Sequence, residues 1–246
     1  MTTAPVVVSL FDYTGLAVAP WARAGFLCLC VDRQHQYGLL EQTIPESGVV
    51  YVRADLSPGS PDWTVLETFC KDRTISMTIG FPPCDDLAAS GAAHWERKRK
   101  QDPEFQIKAC NMARGVEKFA NRLGVRYVIE NPAGALARLW RKSDFRVSPN
   151  SYGGYLPEDD AHPLYPAYIP SRDAYSKLTC LWTSNEIKLP PERPVDPIMV
   201  TTSTGKRGSP QWAKLGGKSL KTKNIRSATP RGLFEALFIA NVENEQ

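Results

Sequence analysis

Short, continuously apolar runs in the first half of the chain constrain its fold more than any other feature. They cover residues 6–11, 26–31, 49–52, 75–81 and 125–129, and an aspartate closely follows each of the first three. Runs of this length without polar alternation are typical of strands buried on both faces, as in a parallel sheet covered by helices. The sequence therefore predicts an α/β fold, with an open parallel sheet flanked by helices.

Helical periodicity is clearest over residues 103–123. Apolar side chains recur there at spacings of three and four, with Asp102 as a cap, Pro103 at the first helical position and Gly124 just past the end. A last helix is expected over residues 230–242. It is apolar enough to return to the sheet.

The composition of the chain changes after the first 156 residues. Proline-rich sequence over 157–210 predicts loops and short strands rather than long elements. We therefore expect a small irregular insert near the C-terminus. The expected parts are a main domain over 1–156, the insert over 157–224 and a C-terminal helix over 225–246 that returns to the main domain.

Composition places the chain among reduced intracellular proteins. With 246 residues and 42% hydrophobic content it can bury a full core without a metal or disulfide. Its six cysteines are scattered, the N-terminus lacks the features of a signal peptide, and no apolar run approaches the length of a membrane span. We expect a soluble, cytoplasmic protein with no metal site, because Cys180 and His162 lack ligand spacing.

A basic stretch lies near the C-terminus. Residues 206–231 are rich in Lys and Arg and contain no Asp or Glu, although the net charge of the whole chain is only +4. Such a local excess suits a phosphate backbone, and Trp212 within it could stack on a base or anchor the loop. An ordinary solvated loop is the alternative.

Aspartates follow three successive predicted strands, at positions 12, 32 and 55. Ligands of open parallel sheets gather at the carboxyl ends of the strands, and an acid about 20 residues past a glycine-containing first turn accepts hydrogen bonds from ribose hydroxyls. The turn "DYTGLAVAP" lacks the glycine cradle of a dinucleotide site. The cationic end of S-adenosylmethionine would suit Asp12, which favours that adenosine derivative. Turn and cap roles are the alternative for each aspartate.

Cys84 stands behind two prolines where a predicted strand enters a loop, in "GFPPC". Pro82 and Pro83 stiffen the strand exit, so the thiol is expected to be presented rather than buried. A helix beginning near Asp85 would lower the pKa of the thiol, against the effect of the neighbouring acids. A small apolar role is the alternative.

The next strand leads into "ENPAG", which begins at Glu130. A cysteine that adds to C6 of a pyrimidine needs an acid at N3 to offset the charge that develops on the ring, and the addition makes C5 nucleophilic towards an activated methyl group. The base must also leave the stack. Cys84 and Glu130 together make sense for this chemistry, whereas Glu130 alone could be a helix cap.

These motifs resemble those of the C5-cytosine DNA methyltransferases, over most of the chain. "VVSLFDYTGLAVAPWARAGF", "VDR" and "RADL" are similar to the first three cofactor motifs, "GFPPC" to the nucleophile loop and "ENP" to the motif that contacts the flipped cytosine. "KLTCLWTSN" and the closing segment from Gly216 resemble compact, often phage-borne members.

The resemblance implies a Rossmann-like class I methyltransferase sheet, S-adenosylmethionine as cofactor and duplex DNA as partner, with no obligate protein partner, in a prokaryotic or phage-infected cell. Residues 1–156 would be the catalytic and cofactor-binding domain, and 157–224 a target-recognition-like insert. It implies Cys84 as nucleophile and Glu130 as the N3 acid, substrate contacts from Pro83, Asn131, Pro132 and Arg146, and cofactor contacts from Phe11, Asp12, Tyr13, Thr14, Gly15, Asp32, Arg33, Asp55, Leu56 and Pro82.

Two departures from the family pattern keep alternatives open. The expected Gln-x-Arg-x-Arg motif is replaced by "SDFRVSPNSYGG", in which Arg146 is the one clear basic candidate, and the recognition insert is short. The same chemistry on a free cytidine nucleotide or on RNA is one alternative. A catalytically silent nucleic-acid-binding relative is another, although such a protein has no reason to retain both Cys84 and Glu130.

Overall fold

The computed structural model describes residues 4–202, 205–217 and 219–242, which form a mixed α/β structure. Its strands are β1 (Val6–Leu10), β2 (Leu27–Val31), β3 (Gly48–Val52), β4 (Ile75–Gly80), β5 (Arg126–Pro132), β6 (Phe145–Val147), β7 (Thr179–Thr183), β8 (Val200–Thr201) and β9 (Arg207–Gly208). Its α-helices are α1 (Ala19–Arg23), α2 (Asp62–Cys70), α3 (Trp95–Gln101), α4 (Phe105–Leu123), α5 (Leu136–Leu139), α6 (Pro210–Lys214), α7 (Leu220–Arg226) and α8 (Arg231–Asn241).

Seven strands form the central sheet in the order β3-β2-β1-β4-β5-β7-β6. β1 pairs in parallel with β2 and β4, β2 with β3 and β4 with β5, whereas β7 runs antiparallel to β5. The five apolar runs read from the sequence are confirmed as β1 to β5. The sheet is mostly parallel and compatible with a Rossmann-like fold.

The order of the strands reverses between β1 and β4. From β1 the chain builds outward through β2 and β3, and then returns to the other side of β1 to build β4 and β5. In open parallel sheets the loops on the two sides of such a reversal leave in opposite directions, and ligands commonly bind between them. The loops that follow these two strands begin at Phe11 and Phe81.

The helix predicted over 103–123 is confirmed as α4, which begins two residues later. Ala113, Val116 and Phe119 of its apolar stripe are fully buried. Gly124 ends the helix with a left-handed φ of 67°, a conformation that costs glycine least. Val116 lies so close to Gly80 that a Cβ on Gly80 would stand 2.7 Å from Val116 Cγ1. α4 is thus seated directly on the end of β4.

The chain divides into two compact units whose limits differ from the predicted domains. The first unit is the chain up to Arg146 together with Thr179–Ile187, and the second is Val147–Leu178 together with the chain from Lys188 onward. Thr179–Thr183 falls inside the range expected for the insert, yet it forms β7 of the central sheet. Its five residues are all buried, but a run this short between proline-rich segments does not stand out in the sequence.

The helix expected over 230–242 is present as α8, within the second unit. It packs on the 3₁₀ segment Pro149–Tyr155 so closely that a Cβ on Gly232 would lie 2.4 Å from Tyr152 O. An apolar helix face predicts burial without specifying which surface buries it.

An ion-pair cluster is buried in the second unit. The Arg231 guanidinium donates to both carboxylate oxygens of Asp160, each at 2.7 Å, and to Asp173 at 3.4 Å. Asp173 also accepts from Gly232 N at 2.9 Å. This cluster joins the start of α8 to the earlier part of the same unit.

Among the described residues, no helix has both the length and the apolar character needed to cross a bilayer.

Candidate active site at the carboxyl edge of the sheet

Cys84 lies in the loop that follows β4. Pro82 is buried, Pro83 is exposed and the Cys84 side chain is partly exposed, whereas the other five cysteines are all buried. All six lie in the described part of the chain. Cys84 is thus the only one of the six described cysteines with a partly exposed side chain, and the two prolines lead the chain to it from the carboxyl end of β4.

The helix expected to begin near Asp85 is absent. The residues after Cys84 form a turn, in which Leu87 N and Ala88 N donate to Cys84 O at 3.0 and 2.9 Å, and a 3₁₀ segment, Ala89–His94, comes before α3. Side chains take the carbonyls that a helix would use: Lys98 Nζ donates to Asp85 O at 3.3 Å and Gln106 Nε2 to Asp86 O at 3.1 Å. No helix N-terminus therefore acts on the thiol.

Glu130 stands at the end of β5, beside the Cys84 loop. Gly80 of β4 is level with Ile129 of β5, so Glu130 lies one residue beyond that level. Glu130 is buried, and the following Asn131 is 1% exposed. Asn131 Nδ2 donates to Pro82 O at 2.8 Å, which ties the second motif to the first. Oδ1 of Asn131 is a buried acceptor with no hydrogen-bond donor among the described residues.

The two loops are also joined by their backbones. Ala89 N donates to Ala133 O at 3.0 Å, Ala135 N donates to Leu87 O at 2.7 Å, and Ala88 forms a bridge with Gly134. A Cβ on Gly134 would lie 1.9 Å from Leu87 O, so only glycine fits this crossing. The segments that follow Cys84 and Glu130 are therefore held together in one fixed arrangement.

The loop after β1 wraps around the Asp12 carboxylate. Asp12 is 2% exposed and accepts from Ser9 Oγ at 2.7 Å, Gly15 N at 2.8 Å and Thr14 N at 3.1 Å. Burial raises the pKa of Asp12, and these hydrogen bonds act in the opposite direction. Both carboxylate oxygens are thus used inside the loop. The contact of Asp12 with a cationic ligand stays a prediction.

Two residues of the same loop adopt left-handed backbone conformations. Phe11 has a φ of 58°, which is costly for a side chain of this size, and Gly15 has a φ of 68°. A Cβ on Gly15 would stand 2.8 Å from the hydroxyl of Tyr51, so the glycine allows Tyr51 to close over the loop. Backbone strain of this kind is often found at functional sites.

The acids after β2 and β3 are more accessible than Asp12. Asp32 is partly exposed, and its Oδ1 accepts from Gln34 N at 2.8 Å; its Oδ2 has no donor in the described part of the chain. Asp55 is exposed, and hydrogen bonds from the Ser57 hydroxyl and backbone N–H lower the pKa of its carboxyl group. Arg33 is exposed nearby. Leu56 is buried in the core, so its role is in packing.

Three aromatic rings lie at the carboxyl edge of the sheet, and two of them were not predicted from the sequence. Tyr13 stacks on His35 with ring centroids 5.8 Å apart, and His35 packs against Tyr51 at 5.1 Å. His35 Nε2 lies 3.0 Å from Asp12 O, and Tyr51 Oη donates to Thr14 O at 3.3 Å. Only Tyr13 was expected. His35 lies after β2 and Tyr51 lies within β3. Neither belongs to a motif whose spacing would connect it to Tyr13.

Arg146 is not brought to the two motif loops by the sheet. It lies exposed on β6, and β7 separates β6 from β5. Strands are about 4.8 Å apart, which places β6 about 10 Å from β5. Pro132, by contrast, ends β5 and is level with Thr179 of β7. The geometry groups Cys84, Glu130, Asn131 and the prolines, and leaves Arg146 at the rim.

No protein-family model matches this chain, and a search of curated proteins finds no match either. The functional proposals that follow therefore depend on the residues and their geometry.

Proposed function

We propose that this protein transfers a methyl group from S-adenosylmethionine to C5 of cytosine in DNA, through a covalent adduct of Cys84 at C6. The observation that carries the proposal is the joining of the two loops. An accessible thiol and a buried carboxyl group emerge from adjacent parallel strands, and backbone hydrogen bonds and the Asn131 side chain fix their loops to each other. Their position at the carboxyl edge of the sheet, next to the point where the strand order reverses, adds support.

The chemistry assigned to the chain uses both groups. The Cys84 thiolate forms a bond to C6 of the flipped cytosine, while the Glu130 carboxyl group holds a proton at N3 and so stabilises the electron density that moves into the ring. C5 becomes nucleophilic and would form the new carbon–carbon bond with the methyl group, whose bond to the sulfonium sulfur breaks in the same step and leaves a neutral thioether. Transfer of the C5 proton to a water molecule then returns an electron pair to the ring, the Sγ–C6 bond breaks, and the thiolate is regenerated.

The residues at the carboxyl edge fit an adenosine-containing cofactor. S-adenosylmethionine, when bound, supplies the methyl group as an electrophile on a sulfonium. Asp32 retains an acceptor oxygen for a ribose hydroxyl, and Tyr13 offers an aromatic ring to the cofactor. The strained loop from Phe11 to Gly15 would lie beneath the bound cofactor. Asp12 shapes that loop from inside.

The direct test is product formation on unmodified duplex DNA. Purified protein is incubated with S-adenosylmethionine and DNA, the DNA is digested to nucleosides, and 5-methyldeoxycytidine is measured by mass spectrometry. We expect product from the wild type and none from Cys84→Ala. The matched control is Cys110→Ala, which removes a buried thiol of α4 and should leave the product in place. Methylation by Cys84→Ala would overturn the assignment of the nucleophile.

A second test examines the covalent bond itself. In duplex DNA containing 5-fluorocytosine, fluorine replaces the proton that must leave C5, so the Sγ–C6 bond cannot break after methyl transfer. We expect an adduct that survives denaturation and adds the mass of the DNA to the wild type and to Cys110→Ala, but not to Cys84→Ala.

The acceptor is tested with the same assay. If the wild type does not methylate duplex DNA, free cytidine nucleotides and single-stranded RNA are tried in its place. Product from either would move the reaction to that acceptor while retaining Cys84 as nucleophile. An absence of product from all three would favour the silent binding protein.

A further inference from the structure

The helix that follows the Cys84 loop is fixed to that loop by its inner face. Lys98 of α3 contacts the Asp86 carboxylate and donates to Asp85 O at 3.3 Å, and Trp95 packs against the core of the first unit. Asp86 is two residues from Cys84, at most about 7 Å along the chain. The position of α3 is therefore set relative to the proposed nucleophile.

The outer face of α3 is basic. Arg97, Arg99 and Lys100 are exposed. Lys100 is paired with Glu96 at 3.3 Å, and the two side chains are 77% and 82% exposed. Arg97 and Arg99 form no ion pair within the described part of the chain. Arg97 and Arg99 stand one position before and one position after Lys98, each about 100° from it around the helix, so the two flanks of α3 each offer an uncompensated guanidinium group to solvent.

The basic stretch near the C-terminus is less available than its sequence indicates. Arg231 is held by the buried carboxylates of Asp160 and Asp173. Arg226 donates to Leu215 O at 2.6 Å and Lys214 to Ala167 O at 2.9 Å. Several of its cations therefore stabilise the second unit, and a surface for phosphates is better sought elsewhere.

We propose that Arg97 and Arg99 bind the phosphate backbone of duplex DNA beside the cytosine that enters the Cys84 site. This inference rests on the proposed function, because that function makes DNA the ligand of the adjoining loop. Guanidinium groups match phosphates in geometry and charge, and such contacts hold the duplex in position without reading its sequence. The tether through Lys98 transmits that position to the nucleophile loop.

The experiment measures affinity for duplex DNA of mixed sequence as a function of salt. The proteins compared are the wild type, Arg97→Ala/Arg99→Ala and the control Arg114→Ala/Lys118→Ala, which removes two exposed cations from α4. Each lost phosphate contact makes the slope of log affinity against log salt less negative by about 0.9. We expect a change of about 2 for the α3 variant on every sequence, and none for the control.

The outcomes separate this inference from the proposed function. Equal slopes for all three proteins, or no binding of duplex DNA by the wild type, would overturn the role of α3. A loss of affinity restricted to single-stranded RNA would overturn the choice of duplex DNA. If the α3 variant alone loses slope but no protein methylates cytosine, the surface stands and the catalytic proposal fails. If both stand, the KM of the variant for DNA should rise in step with its loss of affinity.

Discussion

Gly134 is the residue on which the joining of the two candidate active-site loops depends. A Cβ there would lie 1.9 Å from Leu87 O and 3.0 Å from Ala88 Cα. Both atoms belong to the backbone, so no side-chain rotation can relieve the clash. We predict that Gly134→Ala lowers the free energy of unfolding by at least about 2 kcal/mol and abolishes methyl transfer, as measured by urea denaturation and by nucleoside analysis.

The control for this substitution is Gly216→Ala. A Cβ at Gly216 meets nothing within 4 Å, so the change should leave stability within about 0.5 kcal/mol of the wild type. If Gly134→Ala behaved like this control, the close crossing of the loops would be wrong. The sequence gives no sign of the crossing, because it is made by backbone atoms of alanine and glycine residues.

At the scale of elements, the seating of α4 on β4 fixes the end of the strand that carries the nucleophile loop. A Cβ on Gly80 would lie 2.7 and 2.8 Å from the two methyl groups of Val116. We predict that Gly80→Ala costs about 1–3 kcal/mol, and that adding Val116→Ala recovers part of this loss because it removes the clashing methyl groups. A double-mutant cycle measures the coupling. Strict additivity of the two costs would contradict the contact.

Elements buried on both faces were the most predictable part of the molecule. Residues 6–11 and 75–81 form continuous apolar runs, and α4 adds periodicity and a glycine stop, so both kinds of signal are local. β7 was missed because five buried residues between prolines resemble a loop. The prediction of a helix at Asp85 was wrong. The backbone carbonyls of Asp85 and Asp86 accept hydrogen bonds from Lys98 and Gln106 instead, and such tertiary contacts leave no local pattern in the sequence.

For the candidate site, the sequence predicted which residues lie at the edge of the sheet. Strand ends place Cys84 and Glu130 at one edge once the sheet is assumed, since adjacent parallel strands end together. The direction of a side chain is a different matter. Asp12 occupies the expected position but turns its carboxylate into its own loop, and the His35 and Tyr51 rings reach the edge from separate segments. The sequence thus predicted which residues lie at this edge of the sheet, and tertiary contacts decided the direction of their side chains.

At the scale of the whole molecule, the two compact units should differ in their response to acid, because the second unit buries a neutral histidine. His162 Nδ1 accepts from Leu164 N at 3.3 Å and Tyr165 N at 3.0 Å, and the side chain is 1% exposed. Burial and the charge of Arg231 lower the pKa of His162 to about 4, although Asp160 acts in the opposite direction.

The pH dependence follows from the direction of that shift. Between about pH 4 and the ordinary histidine pKa of 6.5, the unfolded chain binds a proton that the folded chain does not. The stability of the second unit is therefore complete above pH 6.5, and we predict a loss of up to about 3 kcal/mol as the pH falls to about 4. His162→Asn keeps an acceptor for the two backbone N–H groups but cannot titrate, so urea denaturation should show a shallower loss over this range. Equal slopes for the two proteins would assign the acid sensitivity to other groups, whereas a flatter slope in the variant would assign it to His162.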